Sequence, residues 1–218
     1  MQKLLIATHN PAKVAELTKY LSPLMPEKEY QIVSLADIEL EEEPEETGKT
    51  IKDNAILKAQ YYGDISGLPS LADDGGFMID ALNGEPGVKS NRWLGPRKAT
   101  DEELIEAVLE RMKDVPEGNR QAKMALCLCY YNPIMGTIET VETALTGHVA
   151  FKPNDKYIKG FPFRALHIVD PFNKYYDELT EAEHEQVNHR RKAVLAIADK
   201  IKEDLAHEEE EIVIETDL

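Results

Sequence analysis

The chain begins with a strand-like segment over residues 3–8, built on Leu4-Leu5-Ile6-Ala7, that passes through His9-Asn10-Pro11 into a helical pattern. Val14, Leu17 and Leu21 recur on one helical face, Asn10 is suited to cap the helix, and Pro11 fits its first position. A strand that ends in polar residues and feeds a helix N-terminus offers unpaired backbone N–H groups and the positive end of a dipole. Such a corner is an anion site, with Lys13 in its first turn. The same residues also read as an ordinary strand-loop-helix corner with a solvated lysine, and no glycine-rich phosphate loop decides between the two.

Further along, residues 30–34 have strand character and lead into an acidic stretch, 37–46, interrupted by Pro44. The pattern turns helical over 47–62, with Ile51, Ala55, Ile56 and Ala59 as the apolar face. A short strand at 70–72 meets Asp73-Asp74-Gly75-Gly76 and is followed by apolar 77–79; the Pro- and Gly-rich segment 83–96 is a loop. Thr100 and Glu103 form a capping box for a helix to about residue 112. Strands over 121–131 and 137–151, parted by Asn132-Pro133 and Gly136, predict a β-hairpin. A short strand at 166–169, a short helix started by Thr180 with Glu183, and a longer helix from 189 to about 205 capped by Asn188 complete the pattern. The organisation expected is one domain over 1–206 and an acidic C-terminal tail over 207–218.

Composition narrows the function classes. With 218 residues and 42% hydrophobic content the chain supports a true core. Its formal charge of -16 argues against wrapping nucleic acid, since phosphate-backbone binding draws on clustered Lys and Arg. A small anionic ligand stays open where a few cations and a metal offset the field locally. The two cysteines, Cys127 and Cys129, alternate within an apolar strand and read as core residues of a reduced, cytoplasmic protein. No apolar run approaches the roughly 18 residues of a membrane span. His148 and His167, in strand patterns, read as structural, and Trp93 as a packing anchor for its loop.

Two chemistries compete at Asp73-Asp74-Gly75-Gly76. Asp-Gly between short apolar runs is a hairpin signal. Paired carboxylates at a strand end also suit Mg²⁺, which keeps several of its positions for water and phosphate oxygens. Residues 42–46 can bring a further carboxylate, and Lys58 a fixed cation.

Several blocks in order resemble the inosine triphosphate pyrophosphatase family. They are Ala7-Thr8-His9-Asn10-Pro11-Ala12-Lys13-Val14-Ala15-Glu16; Glu46-Thr47-Gly48 with Asp53-Asn54-Ala55 and Lys58-Ala59; Ala72-Asp73-Asp74-Gly75-Gly76; and Leu82-Asn83-Gly84-Glu85-Pro86-Gly87-Val88 with Ser90 and Arg92. Gly147, Lys159-Gly160-Phe161, Glu178-Leu179-Thr180 and His189-Arg190 extend the match over nearly the whole chain. The resemblance implies hydrolysis of a nucleoside triphosphate, of deaminated purines such as ITP, dITP and XTP, to the monophosphate and pyrophosphate, with Mg²⁺ as cofactor. It implies an elongated α/β protein, a mixed sheet with helices in two lobes around a substrate cleft, paired as a homodimer. Carried over by residue, Thr8, His9, Asn10 and Lys13 hold the triphosphate and Lys58 joins them. Glu46, or its neighbour Glu45, binds metal; Asp74 binds metal and acts as the base toward water, with Asp73 as a supporting carboxylate. Phe161 and Phe163 supply aromatic surface for the base, and His189 and Arg190 donate to a carbonyl oxygen on it.

Against that family pattern the chain departs at the positions that read the base. Where the family has Gly-Phe-Gly-Tyr-Asp-Pro, this chain has Gly160-Phe161-Pro162-Phe163-Arg164-Ala165, so Arg164 places a donor-only cation where a carboxylate is usual. Gly75 and Asn188 each replace a Ser, and His184 replaces a Lys. Two expectations follow, an enzyme with altered base preference and a nucleotide-binding protein of the same fold with weak or no turnover.

Overall fold

A computed structural model describes residues 1–216 of the chain. Its strands are β1 (Gln2–Ile6), β2 (Tyr30–Ser34), β3 (Ser70–Ile79), β4 (Pro86–Gly87), β5 (Gln121–Asn132), β6 (Thr137–Val149), β7 (His167–Val169) and β8 (Lys174–Tyr175). Its α-helices are α1 (Pro11–Leu21), α2 (Ile51–Ser66), α3 (Asp101–Met112), α4 (Glu181–Val187) and α5 (His189–Thr216). Parallel and antiparallel pairings both occur, making a mixed α/β fold. The chain divides into a first unit, Met1–Asp74, Cys127–Glu142 and Arg190–Leu218, and a second, Gly75–Leu126 and Thr143–His189.

In the first unit β1 pairs in parallel with β2 on one side, Leu4 opposite Ile32, and with β3 on the other, Leu5 opposite Ser70. Leu4, Leu5 and Ile6 are fully buried, the continuous apolar run expected of a parallel strand covered on both faces. The order β2-β1-β3 means that the crossovers through α1 and α2 leave in opposite directions. Right-handed crossovers then put the two helices on opposite faces, and the carboxyl end of β1 becomes a topological switch point. That end runs straight into His9 and Asn10.

The acid pair lies within β3, just past the carboxyl end of β1, whose Ile6 is opposite Leu71. The hairpin reading of Asp73-Asp74-Gly75-Gly76 does not hold, because β3 continues without a turn from Ser70 to Ile79. Alternation along a strand sends neighbours to opposite faces. Ser70 Oγ donates to the Ala59 carbonyl of α2 at 2.6 Å, so Ser70, Ala72 and Asp74 share the α2 face, while Asp73 turns to the other. On that other face, α5 buries Ile197, Ile201 and Leu205, and its Asp204 accepts from Tyr130 Oη and Asn132 Nδ2, each at 2.7 Å.

Helix ends follow their caps. α2 begins at Ile51, later than the sequence pattern places it, because Thr50 and Asp53 close a capping box; it extends to Ser66 and stops at Gly67, whose φ is 66°. The expected capping box of α3 forms between Thr100 and Glu103, and that of α4 between Thr180 and Glu183. α5 runs past residue 205 to Thr216, and residues 217–218 of the expected tail lie outside the described residues. Among the described residues no helix is long and apolar enough to cross a membrane.

The second unit packs Phe77, Leu104, Val108, Phe163, Leu166 and Val169 into one core. Phe77 and Met78 of β3 pair antiparallel with β4, and β6, β7 and β8 form an antiparallel ladder. At Gly76 an added Cβ would lie 2.4 Å from the Gly87 carbonyl oxygen, so only glycine admits this approach of two backbones. Arg120 is buried, and its guanidinium donates to the carbonyls of Val149, Met112, Val115 and Ala150 at 2.8–3.1 Å.

Candidate active site

The N-terminal corner is built as its sequence suggests, with one refinement. Asn10 Oδ1 caps α1 by accepting from Ala12 N at 2.9 Å and Lys13 N at 3.4 Å, and Asn10 N donates to Thr8 Oγ1 at 3.3 Å. These amides are therefore already engaged, and positive charge at the corner comes from the Lys13 ammonium and the helix dipole. His9 Nε2 lies 3.1 Å from the Glu42 carbonyl oxygen, which can only accept, so the ring proton sits on Nε2. Tyr62 Oη donates to the same carbonyl at 3.1 Å. Together with buried Pro44, these contacts pin the acidic loop against the corner.

The loop then delivers Glu46 to α2. Lys58 Nζ is 3.1 Å from Glu46 Oε1 and 2.7 Å from Asp74 Oδ1, so one ammonium bridges two carboxylates from separate segments. Asn54, one turn earlier on α2, accepts from Gly48 N at 2.8 Å and directs Nδ2 toward Asp74 Oδ2 at 3.5 Å. Asn54 thus ties the end of the acidic loop to the strand bearing the acid. Asn54 and Gly48 appear in the sequence only as members of the family blocks, without a role. The signal available was a polar residue at i−4 from Lys58 on the face that carries Ile51, Ala55 and Ala59.

On the opposite face of β3, Asp73 is fully buried between Lys13 Nζ at 3.2 Å and Arg190 at 2.7 Å, and Arg190 also donates to Glu16 at 2.7 Å. The result is an alternating chain of charge, Glu16, Arg190, Asp73 and Lys13, that fixes Lys13 from behind.

These contacts separate the two aspartates electrostatically. Burial opposes the charge on Asp73, but Lys13, Arg190 and Lys58 outweigh it and hold the carboxyl well below its usual range. Burial dominates at Asp74, helped by Glu46, and raises its pKa despite Lys58 and Lys13. Lys58 is desolvated too, yet Asp74, Asp73 and Glu46 raise its pKa and keep it charged. Lys13 moves the other way, lowered first by burial and then by Lys58 and Arg190, against the pull of Asp73.

Thr8, His9, Asn10, Lys13, Glu46, Lys58, Asp73, Asp74 and Arg190 all belong to the first unit, whereas Gly75, Phe161, Phe163, Arg164, His184 and His189 belong to the second. Within the second unit, the Arg164 guanidinium sits 3.7 Å from the Phe161 ring centroid and 4.5 Å from that of Tyr176. His184 meets Tyr176 edge-on at 4.8 Å, and Asn188 Nδ2 donates to Tyr176 Oη at 2.8 Å. Phe163 is a core residue stacked on Phe77 at 5.3 Å. At Gly75 a Cβ would lie 3.0 Å from the Ala125 carbonyl oxygen, so a side chain there requires the backbone to give way.

The family model of the Ham1 family matches residues 4–200. A dITP/XTP pyrophosphatase of Bacillus subtilis is 38% identical over 194 residues, 89% of this chain and 94% of that protein. A HAM1 protein from Coxiella burnetii superposes with a TM-score of 0.79 at 29% identity, covering 93% of this chain and 100% of that one. A nucleoside-triphosphatase / dITP/XTP pyrophosphatase from Mycobacterium abscessus gives a TM-score of 0.71 at 34% identity, covering 90% and 98% respectively.

Proposed function

The chain belongs to the Ham1 family, and from that membership we propose that it hydrolyses nucleoside triphosphates to the monophosphate and pyrophosphate. The observation that carries the reading at the site is the bridging of Glu46 and Asp74 by Lys58, with Lys13 held on the other face of the same strand by Asp73. Two carboxylates that already share one cation, with oxygen donors only, fit a hard divalent ion such as Mg²⁺. When bound there, the ion supplies charge neutralisation at the phosphate oxygens.

The chain's own groups do the rest. Lys13 and Lys58 meet the triphosphate, and Thr8, His9 and Asn10 shape the corner where it rests. Asp74, its pKa raised by burial, accepts the proton of the attacking water and orients it in line with the leaving pyrophosphate. Asp73 stays ionised and holds Lys13 in place. Mg²⁺ as the ion, a homodimer as the assembly and the cytoplasm as the setting belong to the same proposal, with buried free Cys127 and Cys129 in keeping with a reducing compartment.

Base preference is the second part of the reading. Arg164, 4.0 Å from Asp177 Oδ1, covers one face of Phe161 with a cation where a carboxylate is usual. We take this as support for a preference shifted from ITP, dITP and XTP. Steady-state pyrophosphate release on a panel of ribo- and deoxyribonucleoside triphosphates tests both parts. A preference of roughly a hundredfold or more for ITP or XTP over ATP, GTP and the pyrimidines refutes the shift. No release from any of them leaves a nucleotide-binding protein without turnover.

A further inference from the structure

We propose that Lys58 is a resident counterion that must leave the Glu46–Asp74 pair before a divalent ion settles there, and that the triphosphate is what draws it away. The proposal rests on the reading above that Glu46 and Asp74 hold the metal.

The geometry leaves little room for both cations. Lys58 Nζ lies within ion-pair distance of Glu46 Oε1 and Asp74 Oδ1 at once, with only 12% of its side chain exposed. Asp74 is itself nearly closed off, and its second oxygen faces Asn54 Nδ2. Lys58 thus holds the Asp74 oxygen that Asn54 does not face, together with Glu46. An ammonium and a divalent ion on the same oxygens repel each other, strongly so where water is largely excluded.

Departure needs another anion. Lys58 has a flexible four-carbon stem, and a triphosphate lying against the Lys13 corner would supply oxygens to which the ammonium can transfer, leaving Glu46 and Asp74 to hold the ion. Without nucleotide, Lys58 competes with the metal; with nucleotide, both cations are satisfied. Metal and triphosphate affinities are then positively coupled, each raising the other by the same factor. In the nucleotide-free state Lys58 also screens Glu46 from Asp74.

Mn²⁺ binding, followed by calorimetry and by the electron paramagnetic resonance of the free ion, tests this with and without a non-hydrolysable α,β-methylene triphosphate. The expected result is weak binding to nucleotide-free wild type, roughly tenfold or greater tightening in nucleotide-free Lys58→Met, and retained weak binding in Lys58→Arg. The enhancement by the analogue should shrink in Lys58→Met. Equal or weaker Mn²⁺ binding in nucleotide-free Lys58→Met overturns the proposal, because Lys58 would then organise the carboxylates rather than compete for them. The wild-type measurement stands even if Lys58→Met does not fold: equal affinity with and without analogue also overturns it. Asp74→Asn separates this from failure of the underlying reading, since undiminished Mn²⁺ affinity there removes Asp74 from the metal site altogether.

Discussion

Arg190 donates to Asp73 across 2.7 Å, with 4% and none of the two side chains exposed. Lys13 and Glu16 extend the pair to four charges, so removing Asp73 strands two cations together. Asp73→Ala should lower the free energy of unfolding by about 3–5 kcal/mol at pH 7, measured by urea titration. Because the folded pKa of Asp73 is depressed, its stabilisation is present above the unfolded pKa of about 3.9 and is lost as pH falls below it. The gap between wild type and variant should narrow only in that acidic window.

Asp74→Asn should behave differently. The amide keeps the shape of the side chain but cannot take a proton from water, so pyrophosphate release should fall by roughly 10²–10⁴-fold while the urea midpoint changes little. In the metal-free protein burial raises the Asp74 pKa, so a proton titration of the wild type without Mg²⁺ should show a carboxyl ionising above the value of about 3.9 for a free aspartate that Asp74→Asn lacks.

Gly48→Ala tests the link between loop and acid. An added Cβ would stand 2.3 Å from Asn54 Oδ1, the atom that accepts from Gly48 N. Displacing Asn54 loosens Asp74 and frees the loop that carries Glu46. The Mg²⁺ concentration for half-maximal pyrophosphate release should rise by roughly 10–100-fold, and Asn54→Leu should reproduce the effect.

His167 is fully buried, with no hydrogen-bond partner at either ring nitrogen among the described residues, and meets Phe77 edge-on at 5.6 Å. Burial, with a smaller contribution from His148, lowers its pKa to about 3. Below pH 6.5 the unfolded state binds the proton that the folded state refuses, so stability should fall by about 1.4 kcal/mol per pH unit between 6.5 and 4. Trp93 fluorescence in urea reads this for the second unit, and His167→Leu should flatten the slope.

How far the sequence reaches differs from residue to residue. Thr100, Glu103, Thr180 and Glu183 announce their helix starts because a capping box is local chemistry. Lys13, Glu46, Lys58 and Asp74 are legible as candidates, since charge beside an apolar pattern stands out. Of the two readings open at Asp73–Gly76 the hairpin fails, because β3 carries the acids in mid-strand, where its place beside β5 overrides the Asp-Gly preference. Gly48 and Asn54 stand in the blocks that carry the family resemblance, but their contact is not legible there, since Asn54 lies on a helix face among apolar neighbours and the close approach joins residues six positions apart. The Glu16–Arg190 contact spans 174 positions and has no local trace.

Asp73 and Asp74 divide by strand parity, one toward Lys13 and Arg190, the other toward Lys58 and Asn54. The pair therefore behaves as a phase rather than as two separate acids. A single residue inserted between Ser70 and Asp73 would exchange their partners, sending the anchored carboxylate toward α2 and the raised one toward Arg190. Two inserted residues would restore the phase at the cost of distance. Length in this short stretch is constrained modulo two, a restriction that no list of permitted side chains would reveal.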